Sequence, residues 1–98
     1  MRSYSDVVAE DRRLVILRIL RGVHERRVNQ FVLRKVMKLS GYDELLPTVE
    51  NDIAWLRKQG LVKTEELDGG VVLVILTDFG DQAARGVVRV SGLAVPAE

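Results

Sequence analysis

The chain of 98 residues contains no cysteine, one histidine and only two prolines. Without cysteine it can form neither disulfide bonds nor thiolate metal sites, and it offers no cysteine nucleophile. His24 has no second histidine at metal-ligand spacing, and Gly69-Gly70 lacks the Lys-Ser/Thr of a phosphate-binding loop. We therefore expect a protein that is not an enzyme and that uses no cofactor or metal.

Long hydrophobic runs are also absent, since the longest apolar stretches span residues 14–17 and 71–76. Both are too short to cross a bilayer, and the N-terminal residues lack the pattern of a signal peptide. The sequence predicts a soluble, cytoplasmic protein with no membrane partner. Because the net charge is only +1, any argument for nucleic-acid binding depends on where the charges lie.

The sequence does contain hydrophobic periodicity of two kinds. Apolar residues at helical spacing predict a first helix at about residues 5–21, a second from the cap Asn29 to about residue 39, and a third that begins between residues 43 and 47 and ends near residue 59. Residues 61–67 and 71–77 are instead rich in β-branched and aliphatic side chains, and the Asp-Gly-Gly between them predicts a β-hairpin. Thr77 is then suited to cap a short fourth helix through about residue 85, followed by an extended tail.

The order of these elements predicts an α+β fold of the winged helix-turn-helix class. It consists of three helices, a β-hairpin wing, a short fourth helix and an extended C-terminal tail. Residues 1–86 would form the winged-helix domain, and residues 87–98 a C-terminal extension that could contribute a dimer contact.

The first helix carries more apolar side chains than one face of a monomer needs. On a helical wheel, one broad face holds six aliphatic residues, namely Val8, Val15, Ile16, Ile19, Leu20 and Val23. Leu14 and Leu17 fall instead on the side of Arg18 and Arg21. This apolar excess predicts a homodimer, and its predicted interface includes Leu14, Leu17, Arg18 and Arg21.

Two motifs in the sequence resemble motifs of bacterial winged-helix regulators. The first motif resembles the end of a recognition helix and the residues that connect it to the wing. It consists of the apolar residues Val49, Ile53 and Leu56, followed by Gly60-Leu61-Val62. Leu76, Thr77, Gly80 and Ala83 resemble the Leu-Thr-x-x-Gly-x-x-Ala that follows the wing in many such proteins.

A resemblance over nearly the whole chain is more specific. The sequence is similar to small winged-helix proteins of Mu-like prophages that are described as arsenic-repressor-type regulators. Residues 2–5, 10–17, 52–56 and 59–62, with Gly92 and Pro96, carry this likeness. It implies a transcriptional regulator that binds double-stranded DNA, although the lack of cysteine excludes thiolate sensing of soft metals.

The resemblance also implies roles for particular residues. In this family of folds the third helix enters the major groove and the second crosses the phosphate backbone. The candidate base-contacting residues on the third helix are Thr48, Glu50, Asn51, Ala54 and Lys58. The candidate phosphate-binding residues on the second helix are Arg34, Lys35 and Lys38.

The distribution of carboxylates favours a different function. Residues 43–55 include Asp43, Glu44, Glu50 and Asp52 but no basic residue, and Glu65, Glu66 and Asp68 surround the wing tip. Carboxylates at these positions repel phosphates. The alternative prediction is therefore an adaptor that binds a phage or host protein through an acidic third helix and wing.

Overall fold

In a computed structural model that describes residues 1–97, the chain forms four helices and a three-stranded sheet. The elements are α1 (Tyr4–Gly22), β1 (Arg27–Asn29), α2 (Gln30–Leu39), α3 (Leu46–Lys58), β2 (Val62–Glu66), β3 (Val72–Leu76) and α4 (Asp78–Ala84). This order confirms the predicted α+β winged-helix arrangement. The strand β1 was not predicted, because three residues after a tight turn carry no recognisable alternation.

Local capping explains where three of the helices begin. The hydroxyl of Ser3 accepts from the backbone N–H of Asp6 at 3.1 Å, and the Asp6 carboxylate accepts in return from the N–H of Ser3 at 3.0 Å. These hydrogen bonds hold the pKa of Asp6 below its ordinary value. The side chain of Asn29 caps α2 and that of Thr77 caps α4, as predicted.

The buried face of α1 differs from the predicted one. Leu14 and Leu17 are only 2% and 0% exposed, whereas Val15 and Ile19 are half-buried. The reason is that α1 is enclosed on several sides, by α2, β3 and α4. The prediction that Leu14 and Leu17 join two copies is therefore wrong, because both side chains lie in the core of one chain. Arg18 and Arg21, the other members of that predicted interface, are exposed.

The sheet is antiparallel, and β3 lies between the other two strands in the order β1-β3-β2. Val28 of β1 and Thr64 of β2 both pair with Val74, whose side chain is buried against the helices. The wing is the β2–β3 hairpin, and its tip turns at Gly69 and Gly70, with φ of 75° and 77°. Left-handed angles of this kind favour glycine, which is why the Asp-Gly-Gly sequence marked the turn.

Gly80 allows α4 to pack closely on the start of β2. A Cβ atom built at this position would lie 2.0 Å from the carbonyl oxygen of Leu61 and 2.8 Å from Cδ1 of Leu76. No side chain fits in that space. The glycine of the Leu-Thr-x-x-Gly-x-x-Ala motif therefore has a packing role.

The C-terminal tail lacks helix and strand through residue 97 and packs on its own domain. Arg13 Nη1 donates to the carbonyl of Gly92 at 2.8 Å, and the Arg13 guanidinium lies 4.2 Å from the centre of the Trp55 ring. Leu93 is buried in the core. The described part of the predicted extension, residues 87–97, thus contacts α1 and α3, while Glu98 lies outside the described residues. A dimer contact through this tail stays a prediction.

Candidate nucleic-acid interface

The outward face of α3 carries most of the predicted base-contacting residues. Its inward side chains, Val49, Ile53 and Leu56, are buried as expected from their spacing. Glu50, Asn51, Ala54 and Lys58 lie on the opposite, exposed face, and Thr48 at the leading end is half-buried. The structure thus brings four of the five residues together on one exposed surface.

Arg57 is exposed on the same helix and was not among the predicted residues. It lies three positions after Ala54 and seven after Glu50, so helical spacing alone could have identified it. Arg57 also lines the groove between α3 and the wing, together with Glu50, Ala54, Thr64 and Glu66. This groove has a volume of about 230 Å³.

Asp52 does not belong to an acidic surface, which corrects the prediction of an acidic third helix. It is only 3% exposed and accepts two hydrogen bonds from the guanidinium of Arg12, at 2.5 Å and 2.9 Å. These bonds raise the pKa of Arg12 further above its ordinary value. With Asp52 buried, the exposed charged residues of α3 are the carboxylate Glu50 and the two cations Arg57 and Lys58. The helix therefore presents no excess of negative charge.

On α2, Lys35 and Lys38 are exposed as predicted, but Arg34 is half-buried. The Nε of Arg34 donates to the carbonyl of Glu44 at 2.7 Å, so this side chain also holds the α2–α3 turn. With Phe31 and Asp43, these three cations line a cavity of about 300 Å³. The cavity is a concave, basic surface next to α3.

The α2–α3 turn also forms a hydrogen bond with α1. The hydroxyl of Tyr42 donates to the carboxylate of Asp11 at 2.5 Å. Burial and this hydrogen bond raise the pKa of Tyr42 to about 12. Together with the Arg12–Asp52 pair, this contact sets the orientation of α3 on the domain.

The wing is acidic at its tip, where Glu65, Glu66 and Asp68 are all exposed. Gln30, a buried residue at the start of α2, holds the wing tip through two hydrogen bonds. Its amide nitrogen donates to the carbonyl of Gly70 at 2.8 Å. Its amide oxygen accepts from the N–H of Val72, also at 2.8 Å. No sequence pattern indicated this role, because the partners lie 40 and 42 positions apart.

Within residues 1–97, no group of three or more carboxylate or histidine side chains is placed to hold a metal ion. His24 is exposed and lies 3.4 Å from the carboxylate of the adjacent Glu25. Among residues 1–97, none of the helices combines the length and the hydropathy that crossing a bilayer requires.

Comparison with solved structures identifies the fold. The chain superposes on Sco3205, a MarR family transcriptional regulator from Streptomyces coelicolor in complex with DNA, with a TM-score of 0.67 and 26% sequence identity over 76% of the chain. It superposes on hsRosR-S1 with a TM-score of 0.64 and 22% identity over 74% of the chain. The chain spans 45% of the first protein and 63% of the second, so the likeness is to the winged-helix part of larger molecules.

Comparison of sequences identifies two relatives, although no family model matches the chain. An uncharacterised protein of Haemophilus influenzae is 29% identical over 76% of this chain and 72% of its own length. The uncharacterised protein gp26 of Escherichia phage Mu is 38% identical over 94% of both chains. This chain has the winged-helix fold found in transcriptional regulators such as Sco3205, and it belongs to the family of phage Mu gp26.

Proposed function

We propose that this protein is a DNA-binding transcriptional regulator encoded by a Mu-like prophage. The observation that carries the proposal is the outward face of α3, where Asn51 and Ala54 lie beside two cations and next to the basic surface of α2. The likeness to Sco3205, solved with DNA, supports DNA binding, and the relative in phage Mu supports a prophage origin. The arsenic-repressor type within this proposal stays a prediction.

In this proposal α3 enters the major groove. The amide of Asn51 can form two hydrogen bonds with adenine, and the small side chain of Ala54 allows the helix to approach a thymine methyl group. Glu50 can accept from a cytosine amine, and Lys58 can donate to guanine. Thr48 is placed for a contact at the leading end of the helix.

Phosphate contacts in this proposal come from α2. Lys35 and Lys38 are exposed cations on the basic cavity, and the N–H groups of Arg34 other than Nε remain available for a phosphate. The carboxylates of the wing tip oppose this attraction, so we expect weak non-specific binding and specificity that depends on α3.

The homodimer stays part of the proposal as an assembly of two copies on DNA, but its interface is not the predicted one. Two α3 helices separated by one turn of DNA would read a repeated half-site. Since Leu14 and Leu17 are buried, the surface that joins the copies has to be sought among exposed residues.

The test is selection of binding sites from a pool of randomised duplexes at low salt, followed by titration of the selected site. Asn51→Ala should weaken binding to that site about 5- to 150-fold and leave binding to unrelated DNA unchanged. Lys35→Ala with Lys38→Ala should weaken binding to every duplex and reduce the slope of log K against log salt by about 1.8. Arg27→Ala, an exposed cation on β1 that lies outside the proposed binding surfaces, is the matched control. A chain that binds no duplex at low salt contradicts the proposal.

The second candidate is an adaptor that binds a basic phage or host protein. Because Asp52 is buried, its docking surface would have to be the wing, where three carboxylates surround Leu67. Glu65→Lys with Glu66→Lys should then abolish binding of a purified basic partner. Glu50→Lys on α3 is the control, and loss of binding in the control instead would place the surface on α3.

A further inference from the structure

An arginine-lined groove lies between α1, α4 and the tail, apart from the α2–α3 surface. It is lined by Arg18 and Arg21 of α1 and by Arg85 and Arg89, which follow α4. The groove has a volume of about 540 Å³, and its apolar part consists of Ala84, Val95, Pro96 and Ala97. It therefore combines positive charge with an apolar surface.

Part of this positive charge is neutralised within the chain. The carboxylate of Asp81 accepts from Arg21 Nε at 2.6 Å and from Arg85 Nε at 3.0 Å. Arg18 and Arg89 are exposed, and among residues 1–97 no carboxylate lies within 4.0 Å of either guanidinium. Because four guanidinium groups are balanced by the single carboxylate of Asp81, the groove keeps an excess of positive charge on a concave surface.

The chemistry of the groove defines its ligand. Guanidinium groups bind carboxylates through paired hydrogen bonds, and the alanine, valine and proline side chains favour an apolar group. A short acidic segment that contains one exposed aliphatic side chain fits both requirements.

The wing tip of this protein is such a segment. Residues 65–68 read Glu-Glu-Leu-Asp, all four are exposed, and Leu67 retains 44% of its accessible surface. A leucine flanked by three exposed carboxylates is chemically complementary to an apolar groove flanked by arginines.

The wing tip of a chain does not line the groove of that same chain. Strand β3 begins beside the tip at Val72 and ends at Leu76, just before α4. Four residue steps of a strand separate these ends by about 13 Å, and Arg85 lies beyond α4, at the far end of that helix. No wing residue lines the groove, and the length of β3 and all of α4 separate the two along the chain, so we expect a contact between them to need a second copy.

We infer that the wing tip of one copy binds in the arginine groove of another, so that the protein self-associates head to tail. A contact between two different surfaces is heterologous and produces a ring or an open chain rather than a closed twofold dimer. A twofold contact through Arg18 and Arg21 would place arginine against arginine. The head-to-tail contact instead pairs opposite charges.

Self-association of this kind neutralises the negative charge of the wing, because the arginines of the next copy pair with the carboxylates of each docked tip. The inference does not depend on DNA binding and is tested without DNA.

The experiment measures the mass of the chain by sedimentation over a range of concentrations, after removal of nucleic acid. At about 20 mM salt we expect the weight-average mass to rise to at least twice that of one chain, and about 0.5 M salt should return it to the monomer, because screening weakens contacts between exposed charges. A monomer at every concentration and salt overturns the inference.

Charge reversal tests the two surfaces separately. Arg18→Glu with Arg89→Glu makes the groove acidic, and Glu65→Lys with Glu66→Lys makes the wing basic. Each variant alone should be monomeric, because its wing and groove then carry the same sign. The four residues are exposed, so both variants should fold, which circular dichroism checks.

An equimolar mixture of the two variants is the decisive measurement. Each wing then meets a groove of opposite sign, so the mixture should regain the mass of the unmodified chain. Lys35→Glu with Lys38→Glu, which reverses two charges outside both surfaces, should associate as the unmodified chain does. Failure of the mixture to associate, or association of either variant alone, overturns the inference. A groove variant that binds DNA less well but leaves the mass unchanged would assign the arginines to phosphate instead, and also overturns it.

Discussion

Asp52 of α3 accepts both of its hydrogen bonds from Arg12 of α1, a residue 40 positions earlier in the chain. The two side chains are only 4% and 14% exposed, so the ion pair is shielded from water. It holds the inner edge of α3 against α1 and leaves Asn51 and Ala54 on the outside. The orientation of the candidate DNA-reading face therefore depends on a pair of charges that does not itself face DNA.

Removing one partner of this pair should destabilise the protein strongly. Asp52→Ala leaves the Arg12 guanidinium poorly hydrated and unpaired, and we expect the free energy of unfolding to fall by about 3 kcal/mol. The double variant Arg12→Ala with Asp52→Ala should be less destabilised than the sum of the single variants, because no lone charge remains. Urea unfolding followed by Trp55 fluorescence measures both. Glu50→Ala, an exposed carboxylate on the same helix, should change stability by less than about 0.5 kcal/mol.

Gly80→Ala should lower the free energy of unfolding by about 1–3 kcal/mol, because the added methyl group collides with the Leu61 carbonyl. The matched control is Gly22→Ala at the end of α1, where a Cβ would meet nothing within 4 Å. We expect the control to be neutral or slightly stabilising, because alanine favours helix. Equal thermal stability of the two variants would contradict the packing role assigned to Gly80.

Acid should weaken the junction between α1 and α4. The hydrogen bond from Arg21, with the nearby charge of Arg26 and the hydrogen bond from Arg85, holds the pKa of Asp81 below its ordinary value. In the unfolded chain that pKa returns to about 3.9. The ionised carboxylate therefore stabilises the fold fully above that pH, and this contribution is lost as the pH falls through the lower, folded value.

Comparison of two variants isolates this effect. The difference in unfolding free energy between the unmodified chain and Asp81→Asn should shrink as the pH is lowered from about 6 to about 2. Asp78→Asn, an exposed residue in the first turn of the same helix, serves as the control. A difference that stays constant with pH would show that the Asp81 carboxylate does not contribute through its charge.

Gln30→Ala should loosen the wing. The variant loses both hydrogen bonds to the hairpin tip and should lower stability by about 1–3 kcal/mol. Hydrogen exchange at the amide of Val72 should accelerate more than exchange at Val74 in the middle of β3. Gln59→Ala, whose side chain is exposed after α3, should leave both rates unchanged. Uniform acceleration along β3 would indicate a general loss of stability rather than release of the tip.

The parts of the fold that sequence predicts well are those decided by neighbours along the chain. Asn29 and Thr77 cap helices through hydrogen bonds to residues two or three positions later, and Gly69 and Gly70 turn the hairpin through their own backbone angles. The helical stripe of α3 also predicted which side faces outward. These features depend on residues within one turn of one another, so the pattern contains the information.

Contacts between distant residues were predicted poorly. The position of Leu14 and Leu17 depends on how α2, β3 and α4 surround α1, and the burial of Asp52 depends on Arg12. The role of Gln30 depends on a hairpin tip about 40 positions later. A helical wheel treats one helix at a time and cannot show any of these.

Caps, glycine turns and hydrophobic periodicity act locally, so the order of the helices and the wing follows from the amino-acid sequence. Which charges reach solvent depends instead on how the whole chain packs. Packing buries Asp52 against Arg12 and leaves the carboxylates of the wing tip exposed, while it gathers arginines from α1, α4 and the tail into one groove. Whether a charge is exposed depends on what the whole chain places beside it, and the proposed functions of this protein depend on that placement.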